Sequence, residues 1–183
     1  MILPAKCPVY RVSVSADVYN LKTWLWLPEA RERVFAFFAD AHNLERITPP
    51  FLQFRVLNTS PIVMGSGALI DYKLRLHGVP MKWRTEITTW QPPERFCDVQ
   101  LRGPYSEWSH THTFDEHDGG TMVRDDVRYR LPGPSFATRI VNALMVAPDT
   151  TKIFEFRQEA LCEMFGARHT ARVGPVTVVR VKF

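Results

Sequence analysis

The chain has 183 residues, of which 45% are apolar and 23% are charged, and its formal net charge is +4. These proportions match a soluble globular domain and exclude a disordered chain, a collagen and a coiled coil. No apolar run approaches the roughly 18 residues that a membrane-spanning helix needs. The Lys and Arg residues are scattered rather than clustered, so we expect no nucleic-acid partner.

The predicted elements begin after a leader, residues 1–17. The β-branched and aromatic run Val18–Leu27 predicts a strand. Pro28 suits the first turn of a helix, and apolar residues spaced three and four apart between Val34 and Leu44 predict that this helix is amphipathic. The pair Pro49-Pro50 is expected to end it.

Six short strands are predicted next, separated by turn signals such as Gly65-Ser66-Gly67 and Asp118-Gly119-Gly120. Their close spacing along the chain predicts a meander, and hence an antiparallel sheet. The predicted strands are Leu52–Leu57, Ala68–Leu76, Met81–Trp90, Arg95–Leu101, Ser106–Glu116 and Gly120–Leu131.

A second helical pattern runs from Pro134 to Gly166. Its apolar residues form one stripe near the start and a wider stripe from Ile153 onward, and Pro148 between them predicts a kink or a break. The first stripe consists of Phe136, Ile140, Leu144 and Met145. A curved antiparallel sheet wrapped around this long helix would bury both and leave a cavity between them. The predicted fold class is therefore α+β.

The tail, residues 167–183, contains the alternating segment Val176–Val181, which predicts an edge strand. The segment Val9–Val14 of the leader has the same character. Because uncovered edge strands invite pairing, we expect these segments to cover the sheet edge, to pair with each other, or to join two copies in a homodimer. The domain itself is predicted to span residues 18–166.

The alternation of side chains along a strand predicts which polar residues face the cavity. In Ser106–Glu116 the aromatic face is the inner one, and in Gly120–Leu131 the inner face lies opposite the arginines. Tyr72 faces inward by the same reasoning in Ala68–Leu76. Both faces of Met81–Trp90 are mixed, so that strand stays unoriented. The inner faces of the two last strands carry Trp108, His110, His112, Phe114, Asp125 and Tyr129.

The tight turn at 118–120 makes these two last strands neighbours in a hairpin. Counting outward from the turn places Asp125 opposite His112 or one step away. Val127 then lies opposite His110. Buried polar groups cost about 1–3 kcal/mol each unless they are hydrogen-bonded. The inward cluster is therefore a satisfied internal network or a site that contacts a ligand, with acid–base catalysis as the third interpretation.

Two histidines on one strand face, His110 and His112, have the spacing to bind zinc together with Asp125 or another histidine. Such pairs are common without a metal, and no cysteine accompanies this one, so we expect no metal. The chain also lacks a Gly-x-Ser-x-Gly nucleophile elbow, and its Gly65-Ser66-Gly67 turn lacks the lysine of a phosphate-binding loop. No cofactor is expected.

The three cysteines, Cys7, Cys97 and Cys162, are few, odd in number and widely spaced. Such usage is typical of a reducing compartment rather than of a disulfide framework. The N-terminus also lacks the basic start and apolar run of a secretory signal. The sequence therefore predicts a cytoplasmic protein.

One stretch, residues 102–114, reads R-G-P-Y-S-E-W-S-H-T-H-T-F. It resembles the G-P-Y-x-x-W-x-H-x-H-x-F motif of bacterial ligand-binding proteins in the SRPBCC superfamily, which also contains START lipid-transfer domains, birch-pollen allergens and polyketide cyclases. Three further similar segments lie in the right order, and the resemblance covers roughly residues 19–166. These segments are 44–50 (LERITPP), 78–85 (GVPMKWRT) and 124–132 (RDDVRYRLP).

The resemblance implies a helix-grip fold with an internal cavity that binds a small hydrophobic or aromatic molecule of lipid, polyketide or isoprenoid type. A first alternative is a polyketide cyclase or isomerase that uses the internal acid–base residues. A second is a factor that binds a protein or the ribosome through Arg124, Arg128 and Arg130. The ligand-contacting residues expected from strand parity and the resemblance together are Tyr72, Trp83, Tyr105, Trp108, His110, His112, Phe114, Asp125 and Tyr129.

Overall fold

A computed structural model describes residues 17–59 and 61–181. The leader up to residue 16, with the predicted segment Val9–Val14, lies outside the described residues. The strands are β1 (Val18–Leu27), β2 (Arg55–Val56), β3 (Leu69–Leu76), β4 (Val79–Gln91), β5 (Arg95–Arg102), β6 (Glu107–His117), β7 (Gly120–Arg130), β8 (Arg172–Val173) and β9 (Thr177–Val181). The α-helices are α1 (Arg31–Phe38), α2 (Ser135–Val141) and α3 (Ala147–Met164).

The described strands form one antiparallel sheet in the order β2-β3-β4-β5-β6-β7-β1-β8, and β9 also pairs with β1. From β2 to β7, neighbours in the chain are neighbours in the sheet, as a meander requires. The strand β1 then joins β7, with Val18 opposite Arg130 and Leu27 opposite Thr121. The predicted α+β class and the antiparallel meander are confirmed.

The first helix is shorter than the pattern predicts. α1 ends at Phe38, and the chain continues in a separate 3₁₀ turn, Ala41–Glu45. Asp40 caps this turn, because its Oδ1 accepts a hydrogen bond of 3.0 Å from the backbone N–H of His42. Val34, Phe35 and Phe38 are the buried residues of α1. The helix is therefore amphipathic as predicted, although it stops early and buries Phe35 more deeply than Phe37.

The C-terminal helix runs without interruption from Ser135 to Met164. Pro148 lies in the first turn of α3, directly after a π-helical turn, Asn142–Val146. Proline cannot donate a backbone hydrogen bond, and the wider turn before it accommodates this loss without splitting the helix. None of the helices within the described ranges is long and apolar enough to cross a membrane.

The first apolar stripe of this helix faces away from the sheet, which corrects the prediction. Its four residues are between 45% and 74% exposed, and the buried residues of this part are Thr138 and Asn142. The reason is a polar contact with the sheet: Tyr129 on β7 donates a hydrogen bond of 2.7 Å from its hydroxyl to Asn142 Oδ1. The wider stripe does face the sheet, where Phe154 and Leu161 are buried.

The mixed pattern of Met81–Trp90 reflects a bulge. In β4, Trp83, Thr85 and Ile87 point into the protein and are buried. The pairing with β5 shifts between Ile87 and Thr89, so the inner face passes to even-numbered residues and Trp90 packs against Phe35. A bulge reverses the parity of every later residue in the strand.

The tail covers one edge of the sheet. β9 pairs with β1, from Thr177 opposite Lys22 to Val181 opposite Val18. This confirms that the segment is an edge strand, whereas a homodimer through it stays a prediction. The short β8, which the sequence did not predict, pairs with β1 at Leu25 and Trp26.

The two cysteines within the described ranges differ in state. Cys97 is disulfide-bonded, whereas Cys162 is a buried free thiol. The sequence was interpreted as typical of a reducing compartment rather than of a disulfide framework, and the bond at Cys97 removes that support for a reducing compartment.

Candidate functional site

A cavity of about 180 Å³ lies between α3 and the inner face of the sheet. From α3 it is lined by Thr150, Ile153, Phe154 and Arg157, which fall on one helix face because residues three and four apart are neighbours. The loop before β6 adds Tyr105. From the sheet it is lined by Ile70, Tyr72, Leu74, Leu76, Met81, Trp83, Thr85, Ile87, Phe96, Asp98, Trp108, His110 and His112.

One side of the cavity is an aromatic wall formed by Tyr72, Trp83, Tyr105 and Trp108. Tyr72 and Trp83 stack with ring centroids 5.8 Å apart, and Trp108 meets the edge of Trp83 at 5.3 Å. The polar atoms of Tyr72 and Trp83 are both occupied by Thr85 Oγ1, at 3.2 and 3.1 Å. The wall therefore presents mainly ring surface to a ligand.

The ionisable side chains of the site are concentrated in a polar cluster formed by Asp98, His110, His112 and Asp125. His112 lies opposite Asp125 in the ladder, as the turn predicts. His110 Nε2 donates to Asp125 Oδ1 over 2.8 Å, and His112 Nε2 donates to Asp98 Oδ2 over 3.3 Å. Asp125 Oδ1 is also 2.9 Å from His112 Nδ1, without the alignment of a hydrogen bond. The two imidazole rings are 3.7 Å apart.

The two histidines differ in their affinity for a proton. Burial, with the nearby His112, lowers the pKa of His110 despite its hydrogen bond to Asp125. Burial also opposes charge on His112, but Asp125 and Asp98 outweigh it and raise the pKa of His112. Desolvation works against ionisation of Asp125, yet the two imidazoles hold its pKa well below the usual range. The polar cluster thus contains a proton donor and a proton acceptor side by side.

We expect the two imidazoles to titrate on opposite sides of about pH 6.5, the ordinary pKa of histidine. The raised pKa of His112 stabilises the fold below this pH, and that contribution is lost as the pH rises through the folded-state value. The lowered pKa of His110 has the opposite sign, so its contribution is lost as the pH falls below about 6.5. An NMR titration, assigned with His110→Ala and His112→Ala, measures both. Titration of both rings on the same side would contradict this assignment.

The side chains of Asp98, His110 and His112 also have the chemistry to hold a metal ion. Their ligand atoms lie within 4.8 Å of one another, and imidazole with carboxylate suits Zn²⁺. Asp125, considered from the sequence as a third ligand although no metal was expected, is the hydrogen-bonded partner of His110. That is the outer position from which a carboxylate orients a ligating imidazole.

Three of the expected ligand contacts lie away from the cavity. Phe114 is fully buried and packs against Phe38, with ring centroids 5.1 Å apart. Asp125 is covered by the histidines, and Tyr129 is held by α2 and the π turn through Asn142. Strand parity places all three on the inner face correctly, but the inner face is wider than the cavity. The other six expected residues do line it.

The polar residues of the cavity that were not singled out from the sequence include two charged ones, Asp98 and Arg157. Both faces of β5 are buried near Asp98, where Cys97 and Val99 on the other face are also covered, so parity gave no signal there. For Arg157 a signal existed. It lies four residues from Ile153 and Leu161, which puts a charge on the apolar stripe of α3.

A model of the protein family described as "Polyketide cyclase / dehydrase and lipid transport" matches residues 27–153. The matched span includes the aromatic wall and the polar cluster, and it ends within α3 before Arg157. No curated protein is significantly similar to the chain in sequence.

Solved structures share the fold at low sequence identity. Protein Ms6760 from Mycobacterium smegmatis is 21% identical, with a TM-score of 0.59 over 88% of this chain and 100% of that chain. Protein CV1439 from Chromobacterium violaceum is 15% identical, with a TM-score of 0.61 over 80% and 96%. Major latex-like protein 151 from Panax ginseng is 10% identical, with a TM-score of 0.60 over 81% and 97%. These neighbours confirm the helix-grip fold.

Proposed function

Because the chain belongs to the polyketide cyclase/dehydrase and lipid transport family of the SRPBCC superfamily, we propose that the cavity beneath α3 binds a small apolar or aromatic molecule. The observation that carries this proposal is the aromatic wall, in which Trp83 and Trp108 meet at 5.3 Å and line the cavity. An apolar pocket with a few convergent polar groups is the usual form of a small-molecule site. The binding unit is residues 18–166, and the tail adds the edge strand.

The size of the cavity favours a compact ligand. An apolar cavity of about 150 Å³ holds benzene, so one of about 180 Å³ suits a somewhat larger ring system. An extended lipid chain would require α3 or the turn between β3 and β4 to move. Among the lipid, polyketide and isoprenoid types, a compact cyclic molecule fits best.

A second candidate function is acid–base catalysis on the bound molecule, as in a cyclase or isomerase. It is favoured by the opposite pKa shifts of His110 and His112, since paired groups whose pKa values are pushed apart are typical of acid–base sites. Liquid chromatography with mass spectrometry of a poly-β-ketone incubated with the protein separates the two candidates, because cyclisation changes the retention time and a following dehydration lowers the mass by one water. A carrier returns the compound unchanged, whereas a cyclase converts it.

The remaining alternative from the sequence is a factor that binds a protein or the ribosome through arginines of β7. The outer face of β7 gives this alternative little support. Arg124 forms an ion pair with Asp115, and Arg128 and Arg130 both lie next to Glu107. Two carboxylates of the neighbouring strand thus offset much of the charge of these three arginines, which weakens the case for a nucleic-acid or ribosome surface here.

Filling the cavity is expected to weaken binding of a neutral probe, 2-naphthylmethanol. Ile153 lines the cavity from α3, so Ile153→Phe places extra ring volume where the probe lies and should reduce its affinity about tenfold or more, or about 1.4 kcal/mol. The matched control is Ile140→Phe on the same long helix, where the side chain is 59% exposed. Isothermal titration calorimetry measures both.

The control variant should bind the probe as tightly as the unmodified protein does. Equal affinity of the Ile153→Phe variant, or no binding of the probe to the unmodified protein, would argue against the proposed site.

A further inference from the structure

Arg157 is a charged side chain without a partner inside the apolar cavity. It is only 9% exposed and lines the cavity from α3. Its Nε and Nη1 atoms are buried and make no hydrogen bond, and it forms no ion pair with any carboxylate of residues 17–59 and 61–181. Its guanidinium carbon lies 4.8 Å from the centroid of the Phe154 ring.

Such a group is costly to bury. An arginine side chain keeps its charge in proteins, and a buried charge is tolerated when it is paired and hydrogen-bonded. The ring of Phe154 offers only a weak compensation. The missing partner is therefore an anion with oxygen acceptors.

The carboxylates of the cavity and the polar cluster already accept hydrogen bonds. Asp98 accepts from His112, Asp125 from His110, and Asp40, which also lines the cavity, from the backbone N–H of His42. Other polar groups of the cavity also have partners, such as Tyr72 with Thr85 and Thr150 with the carbonyl of Val146. Arg157 thus stands apart as a cation whose Nε and Nη1 atoms find no acceptor among the described residues.

We propose that the molecule bound in this cavity is an acid: a compact apolar or aromatic body that carries a carboxylate, which pairs with Arg157. This inference rests on the proposed function and adds the charge of the ligand to it. The guanidinium presents parallel N–H groups that match both oxygens of a carboxylate. The apolar body lies against the aromatic wall.

The geometry of α3 also gives the ligand a direction. Arg157 follows Thr150 by seven residues, or about 10 Å along a helix. Both residues line the cavity. With the acid group at Arg157, the ring body therefore extends along α3 toward Thr150.

The test compares two probes that differ in the anion, 2-naphthoate and the neutral 2-naphthylmethanol, at about pH 7.5, where a carboxylic acid is ionised. Isothermal titration calorimetry of the full chain should give an affinity for the acid about tenfold or more above that for the alcohol. Arg157→Met, which keeps a long apolar side chain and removes the charge, should abolish this preference and still bind the alcohol. Arg157→Gln serves as a second variant and should lose the preference in the same way.

Lys152→Met is the matched control, since Lys152 is exposed on the same helix and its loss changes the net charge equally. It should leave the preference intact. Equal affinity of the unmodified protein for the two probes, or a preference that survives in both Arg157 variants, overturns the inference while the proposed function stands. Failure of both probes to bind overturns the proposed function and this inference with it.

Discussion

Replacing Asp125 with alanine is expected to lower the free energy of unfolding by about 3–5 kcal/mol, the usual effect of removing one member of a buried ion pair. Asp125 is 7% exposed, and its carboxylate is the partner of His110 and the neighbour of His112. Its removal leaves two buried imidazoles without this acceptor. Urea denaturation monitored by circular dichroism measures the change.

The neighbouring Asp126 provides the control. It lies on the outer face of β7 and forms a surface ion pair of 3.2 Å with Lys22, so Asp126→Ala should cost no more than about 1 kcal/mol. Because the pKa of Asp125 is lowered, its contribution is present above about pH 4 and is lost as the pH falls below that value. Asp125→Asn should therefore flatten the acid side of the stability curve. Unchanged stability with weakened probe binding would instead make Asp125 a ligand contact.

Phe114→Ala is expected to be as damaging, by about 3–5 kcal/mol. Phe114 is fully buried and packs edge-on against Phe35 and Phe38 of α1, at 5.3 and 5.1 Å. Truncation removes these contacts and leaves a cavity between α1 and the sheet. The control is Phe136→Ala on α2, where the ring is 73% exposed and the change should stay within about 0.5 kcal/mol.

Thermal and urea unfolding measure the two phenylalanine variants side by side. The sequence placed Phe114 among the ligand contacts, and that interpretation makes a different prediction. It requires Phe114→Ala to weaken the affinity for 2-naphthylmethanol while leaving the free energy of unfolding nearly unchanged.

The sheet could be predicted well because local rules determine it. The turn at 118–120 fixed the register of β6 and β7, so His112 lies opposite Asp125 as counted. Parity likewise placed Tyr72, Trp108 and His110 on the inner face. Each of these predictions depends on residues close together in the chain, where periodicity carries information.

The errors arose where distant contacts decide the structure. The bulge in β4 reverses parity after Ile87, and only the pairing with β5 reveals it. The first apolar stripe of the C-terminal helix was expected to face the sheet. Instead, the hydrogen bond between Tyr129 and Asn142 turns a polar side of the helix inward. Asp98 on β5 contacts His112 on the neighbouring strand β6. A pattern within one strand cannot show such a contact.

In the candidate site the sequence likewise predicts which face of a strand a residue lies on, but not whether the residue reaches the cavity. Strand parity tells which residues point inward, but it cannot tell which of them reach the cavity and which are covered by a neighbour. Asp125 is inward and covered, whereas Asp98 is inward and lines the cavity. The depth of each residue depends on how α3 lies across the sheet, and that requires the three-dimensional structure.

The most direct test of the central claim is a crystal structure of the protein with 2-naphthylmethanol. We expect one probe molecule beneath α3, with its rings within contact distance of Trp83 and Trp108. A probe located elsewhere on the surface, with the cavity filled by rearranged side chains, would contradict it.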